Sequence, residues 1–148
     1  MSHSIELNWE LGDKKLVPGE YLTDHKVILN NKVSIVAGSS PDYGGSVENI
    51  NPEQKLAAAV SSCFMMTFLA LAAKMKWPIK NYTDKAISYL GKNNEGRMFV
   101  NKIELNPQIV FDNEFTVSEN EMLKMKEKSH KYCFIANSLS KEVEIKIN

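Results

Sequence analysis

A chain of 148 residues is the size of one domain and long enough to bury a core of its own. Its 18 Lys and Arg balance its 18 Asp and Glu without a basic face or a block of like charge, which argues against nucleic acid or an acidic surface as partner. Two cysteines, Cys63 and Cys133, are too few for a disulfide framework and lack the C-x-x-C spacing of zinc or thioredoxin-like sites.

The opening "MSHSIELNWE" has no basic start followed by an apolar run, so no secretory signal is expected and the expected location is the cytoplasm. The N-terminal third reads as strands. Ile5, Leu7 and Trp9 alternate with polar neighbours, "HKVILN" carries Val27 and Leu29, and "KVSIVAG" carries Val33 and Ile35. Asn30-Asn31 between the last two is a hairpin signal, so an antiparallel meander is expected. "GSSPDYGGSVEN", Gly38 to Asn49, is the longest loop signal and a plausible carrier of functional residues.

A long helix follows. Asn51 suits the N-cap, Pro52 the first helical position and Gln54 the third, where it completes a capping box. From Leu56 to Ala73 there is no charge, and Trp77-Pro78 ends the helix near Lys74 to Lys76. This run is at the short limit for a bilayer span and rich in Ala, Ser and Thr, so a membrane helix is not expected. A helix apolar all round must be buried all round, by a sheet wrapped over it or by a second copy, and a homodimer is expected. Beyond it, "YTDKAISYL" reads as a strand, then the turn "GKNNEG", then "RMFVNKIELNPQIVF" with a break at Asn106-Pro107. Ser118 with Glu121 forms a second capping box on a helix running towards Cys133, and "EVEIKIN" closes as a strand. The order defines an α+β chain without repeats or linkers, a single domain over residues 1–148.

Taken alone, Cys63 reads as buried filler, because cysteine is among the most often buried residues. Glu53 lies nearly three turns before it, about 15 Å along a straight helix, so the two cannot touch within one helix. The motifs move that reading. "NPEQKLAAAVSSCF" resembles the N-P-E-x-x-L-x-x-A-x-x-x-C-F segment of the OsmC/Ohr superfamily, the osmotically inducible and organic hydroperoxide resistance proteins. "YTDKAISYL" resembles that family's Y-x-D-x-A strand, and "HKYCFIANSLSKEVEI" its H-x-x-C helix end, so the resemblance runs from about His25 to the C-terminus.

The resemblance implies an OsmC-like fold, with antiparallel sheets wrapped around a long central buried helix in an intertwined homodimer. It implies a thiol peroxidase acting on organic hydroperoxides in oxidative stress defence, without metal or cofactor, regenerated by a dithiol reductant. Cys63 matches the peroxidatic cysteine, Cys133 the resolving one, and Glu53 the acidic residue of the site. Phe64, Met65, Met66 and Phe68 would favour organic peroxides or simply fill the core.

One departure matters. The family places an arginine, held by the glutamate, against the reactive sulfur. In the subgroup most resembled it stands in a Y-x-R-x-H stretch, but Tyr21 to His25 here reads "YLTDH", with Thr23 at the arginine position. His25 is the best substitute cation and Lys26 the next, the third alternative being no cation at all. His130, one turn before Cys133, is a candidate to activate the resolving thiol or a packing residue. The alternative function is a catalytically weak dimer of the same fold that binds a small apolar ligand. A thioesterase gives no reason for a second cysteine, and a metal site from His3, His25, His130 and the cysteines lacks ligand spacing.

Overall fold

The computed structural model describes residues 1–30, 32–112 and 114–148, as two compact units, Met1–Lys55 and Leu56–Asn148. In the first, β1 (Ile5–Asn8), β2 (His25–Leu29) and β3 (Val33–Ala37) form an antiparallel sheet in sequence order, the expected meander. Asn30 adopts a left-handed φ of 52°, as a turn asparagine can, while Asn31, the other half of the hairpin signal, lies outside the described residues. The register sets Ile5 opposite Leu29, Leu7 opposite Val27 and Val27 opposite Ile35, which collects the apolar side chains on one face. Val27 is buried there, but Ile5, Leu7 and Val33 remain more than half exposed.

The Gly38 to Asn49 loop folds back on itself through one 3-10 turn, Pro41–Tyr43, and returns beside β3, where the Gly38 N–H donates to the Ile50 carbonyl at 3.2 Å. Gly45 is required by this course, since a Cβ there would stand 1.7 Å from the Ser39 carbonyl oxygen.

The helix α1 (Pro52–Lys74) starts as the sequence predicts. The Gln54 N–H donates to Asn51 Oδ1 at 2.8 Å and the Asn51 N–H to Gln54 Oε1 at 2.9 Å, a reciprocal cap. It ends with Lys76 in the left-handed region at φ 58° and the Trp77 N–H bonded back to the Ala72 carbonyl at 2.9 Å. By length and composition α1 is apolar enough to cross a membrane. It is not buried all round within one chain: only Ala57, Val60, Phe64, Phe68 and Ala72, a stripe at three- and four-residue spacing, are buried. Ala59, Ser62, Met66, Ala70 and Ala73 form an exposed stripe elsewhere on the helix.

In the second unit, β4 (Ile79–Asp84) pairs antiparallel with β7 (Pro107–Phe111), and β5 (Ile87–Lys92) pairs antiparallel with β6 (Met98–Leu105). The segment "YTDKAISYL" is therefore two strands in two sheets, because the chain changes sheet after Asp84, whose carboxylate is occupied elsewhere. The break between β6 and β7 falls at Asn106, as expected. The last strand, β8 (Glu144–Ile147), joins β6 in parallel, so the sheets are antiparallel except at this pair. Between them, α2 (Glu119–Lys131) carries the Ser118–Glu121 box, and a separate turn of helix, α3 (Phe134–Asn137), begins at Cys133. The helix expected to run towards Cys133 ends at Lys131, with Tyr132 as its C-cap. Ile103 and Leu105 of β6 share the core with Phe64 and Phe68 of the α1 stripe, continued by ring contacts from Phe68 to Trp77 and from Trp77 to Phe111. Burying each large side chain stabilises the fold by about 1.5–3 kcal/mol.

Candidate active site

Cys63 stands midway along α1 and is half-buried, because it flanks the buried stripe rather than lying in it. Cys133 is wholly buried at the N-cap of α3. Its thiol donates to the Val60 carbonyl at 4.0 Å and accepts the Ala136 N–H at 3.5 Å, and the Cys63 thiol lies near enough to act on its ionisation. Both cysteines are free thiols. The structure therefore brings two thiols from opposite ends of the second unit near each other.

Burial pushes the Cys133 thiol up to about 11, and the hydrogen bond and charge of Cys63 add to the rise. The amides of Ala136 and Ile135 pull the other way, as the start of a helix does for a sulfur, but α3 is a single turn and burial wins.

A tether next to this pair escapes sequence reasoning. Ser61 Oγ, on the same turn of α1 as Val60 and Cys63, donates to Asp84 Oδ2 at 2.5 Å, and Asp84 Oδ1 accepts the Asn106 N–H at 2.6 Å. Asp84 is the aspartate of the Y-x-D-x-A match, but the only hint of its partner is a hydroxyl inside an uncharged helix. Tyr82, one side chain along β4 from Asp84, packs on Phe68, and its hydroxyl is buried without a partner. Burial, and then the Asp84 charge, raise its pKa.

The other expected site residues have their own local settings. Glu53 is in the first turn of α1, about 15 Å along the helix from Cys63. Within the first unit, His25 Nδ1 donates to the Thr23 carbonyl at 2.8 Å, and Thr23 Oγ1 accepts the Ser39 N–H at 3.0 Å. Thr23, at the position of the family arginine, thus clasps the lead-in of β2 to the exit of β3. Of the side chains around Cys63, Phe64 and Phe68 belong to the core, Met65 is half-buried and Met66 is exposed. The Nδ1 of His130 is buried without a partner. Among the described residues no three His, Cys, Asp or Glu side chains are grouped to hold a metal ion.

An α+β unit of this topology, built on one long helix, is of the OsmC class of fold. The OsmC-like protein family matches residues 44–148, and the chain belongs to that family. An OsmC-like protein of unknown function from Vibrio cholerae O1 biovar eltor is 34% identical over 100% of this chain and 99% of its own, with a TM-score of 0.89. An organic hydroperoxide resistance protein from Elizabethkingia anophelis is 21% identical over 99% and 95%, with a TM-score of 0.71. The organic hydroperoxide resistance protein OhrB of Bacillus subtilis is 13% identical over 100% and 97%, with a TM-score of 0.69. At these last two identities the likeness is one of fold. No curated protein matches the chain.

Proposed function

We propose that this protein is a thiol peroxidase that reduces organic hydroperoxides through Cys63 and Cys133 in oxidative stress defence. The observation that carries the reading is the contact between a half-buried and a wholly buried thiol in a chain of the OsmC-like family. Cys63 is the thiol a peroxide can reach. As thiolate it attacks one peroxide oxygen, the O–O bond breaks, the alkoxide takes a proton and leaves as alcohol, and Cys63 becomes a sulfenic acid. Cys133 then attacks the Cys63 sulfur, and the hydroxyl leaves with the Cys133 proton as water, giving a disulfide. A cellular dithiol returns two electrons and two protons. Glu53, too far along its own helix to reach Cys63, serves as the acid of the site from the second copy of the homodimer, and His25 as its cation.

The reading includes a cytoplasmic homodimer in which residues 1–148 act as one domain. Two apolar surfaces support the dimer: the exposed α1 stripe and the half-open face of Ile5, Leu7 and Val33. A second reading, a catalytically weak dimer that binds a small apolar ligand, draws support from Thr23, whose side chain is engaged with Ser39 and carries no charge. Peptide mapping after a stoichiometric dose of cumene hydroperoxide separates the two. The peroxidase gives a Cys63–Cys133 disulfide and turns over with dithiothreitol, and two thiols that stay free overturn it.

A further inference from the structure

A disulfide tolerates little error, with Cα atoms usually 4.4–6.8 Å apart. What holds α1 at the height that brings Cys63 to Cys133 is therefore part of the chemistry. Cys133 is fixed by complete burial and by its bond to Ala136. Cys63 rides on a helix whose buried stripe is Ala57, Val60, Phe64, Phe68 and Ala72, all apolar, and apolar contacts are non-directional. Against that smooth face, the Ser61–Asp84 bond is, among the described residues of the second unit, the side-chain hydrogen bond that leads from α1 to a strand. Asp84 is itself held from the other side by the Asn106 N–H, so the tether ends on rigid backbone between β6 and β7. Thr67, the other α1 hydroxyl bonded nearby, returns to the Cys63 carbonyl of its own helix and fixes nothing outside it.

We infer that Ser61 and Asp84 are positioning residues that set the axial register of α1 and thereby the effective concentration of the Cys133 thiol at Cys63. The inference rests on the dithiol reading but not on the peroxide step. A displacement of about 1 Å is enough to lower an intramolecular rate by about a hundredfold.

The test is the thiol–disulfide equilibrium with dithiothreitol. The protein disulfide takes two electrons and two protons from reduced dithiothreitol and leaves the oxidised ring, so no peroxide enters. In Ser61→Ala and Asp84→Asn the equilibrium constant for forming the protein disulfide should fall about tenfold, about 30 mV for a two-electron couple. Ser61→Thr, which keeps the hydroxyl, should restore it. Glu104→Gln, which alters a polar network on β5, β6 and β8, is the control for general loosening and should leave it unchanged. An unchanged constant in folded Ser61→Ala overturns the inference, as does an equal fall in Glu104→Gln. If Ser61→Ala fails to fold, Asp84→Asn and Ser61→Thr carry the same comparison. An inactive wild type that still shows the Ser61 effect would remove the peroxidase and leave the tether standing.

Discussion

The sulfur of Cys133 accepts the Ala136 N–H at 3.5 Å, so the atom that meets Cys63 is also the cap of α3. Ionising it is opposed by burial, which raises its folded pKa from 9.0 to about 11. A raised pKa means that the native state holds the proton more tightly than the unfolded chain. The stability this gives is complete below about pH 9 and is lost as pH rises towards about 11. Urea midpoints of the reduced wild type should therefore fall faster across that window than those of Cys133→Ser, which keeps a capping oxygen but has no thiol to ionise. A gap between the two that does not vary with pH would contradict the assignment.

Glu104 gives the opposite slope. Its carboxylate accepts from Asn148 Nδ2 at 2.6 Å, from Lys146 Nζ at 3.0 Å and from the Tyr89 hydroxyl at 3.1 Å, and these bonds, Asn148 first, lower it to about 2. A lowered pKa gives stability that is present above the ordinary carboxylate range and is lost as pH falls towards about 2. Glu104→Gln should be less stable than wild type at neutral pH, with the difference closing in acid. Thermal melts from about pH 7 down to about pH 2.5 check the convergence.

The elements were legible where local chemistry decides them. Asn51, Pro52 and Gln54 mark the start of α1, and Ser118 with Glu121 that of α2, because a cap is a short-range bond. The dithiol was legible only through the resemblance, since nothing local joins Cys63 to Cys133. Strand partners were hidden for the same reason. The split after Asp84 and the parallel β6–β8 pair depend on which distant backbone is nearest. The Y-x-D-x-A resemblance marked Asp84, but its bond to Ser61 was invisible because a serine in an apolar helix has an ordinary local explanation.

Phe68 lies wholly buried between Phe64, Trp77 and Tyr82, with ring centroids 6.0–6.4 Å away. Phe68→Ala removes these contacts and leaves a cavity, and should cost about 3–5 kcal/mol. Denaturant titration at neutral pH measures it. A loss below about 1 kcal/mol would mean that the site collapses or that this part of the core is not as described.

The exposed stripe Ala59, Ser62, Met66, Ala70 and Ala73 should be the seam of the homodimer. Sedimentation at micromolar concentration should give a dimer, with a total buried area of obligate size, above about 2,000 Å². Ala70→Glu places a charge on that seam without touching the buried stripe, and should yield monomer or aggregate. A well-folded wild-type monomer would remove the dimer from the proposal.

The last prediction concerns the cation. Where the family arginine stands, Thr23 accepts the Ser39 N–H and receives the His25 ring proton at its carbonyl. A ring that donates from Nδ1 keeps Nε2 free, and if His25 supplies the missing charge it does so by taking a second proton there. The measurement is the pH profile of Cys63 alkylation in a Cys133→Ser background, with and without His25→Ala. With His25 as the cation, Cys63 reacts well below the range of an ordinary thiol, pKa about 8.5, and His25→Ala abolishes that advantage. The loss should be about tenfold or more at pH 6 to 7, because an adjacent opposite charge shifts a pKa by one to a few units. A fast profile indifferent to His25 moves the role to Lys26 or to a neighbouring helix dipole. An ordinary profile, together with no turnover of cumene or tert-butyl hydroperoxide, replaces the enzyme with the apolar-ligand binder, because a thiol with neither cation nor helix N-terminus has nothing to hold its charge against an incoming peroxide.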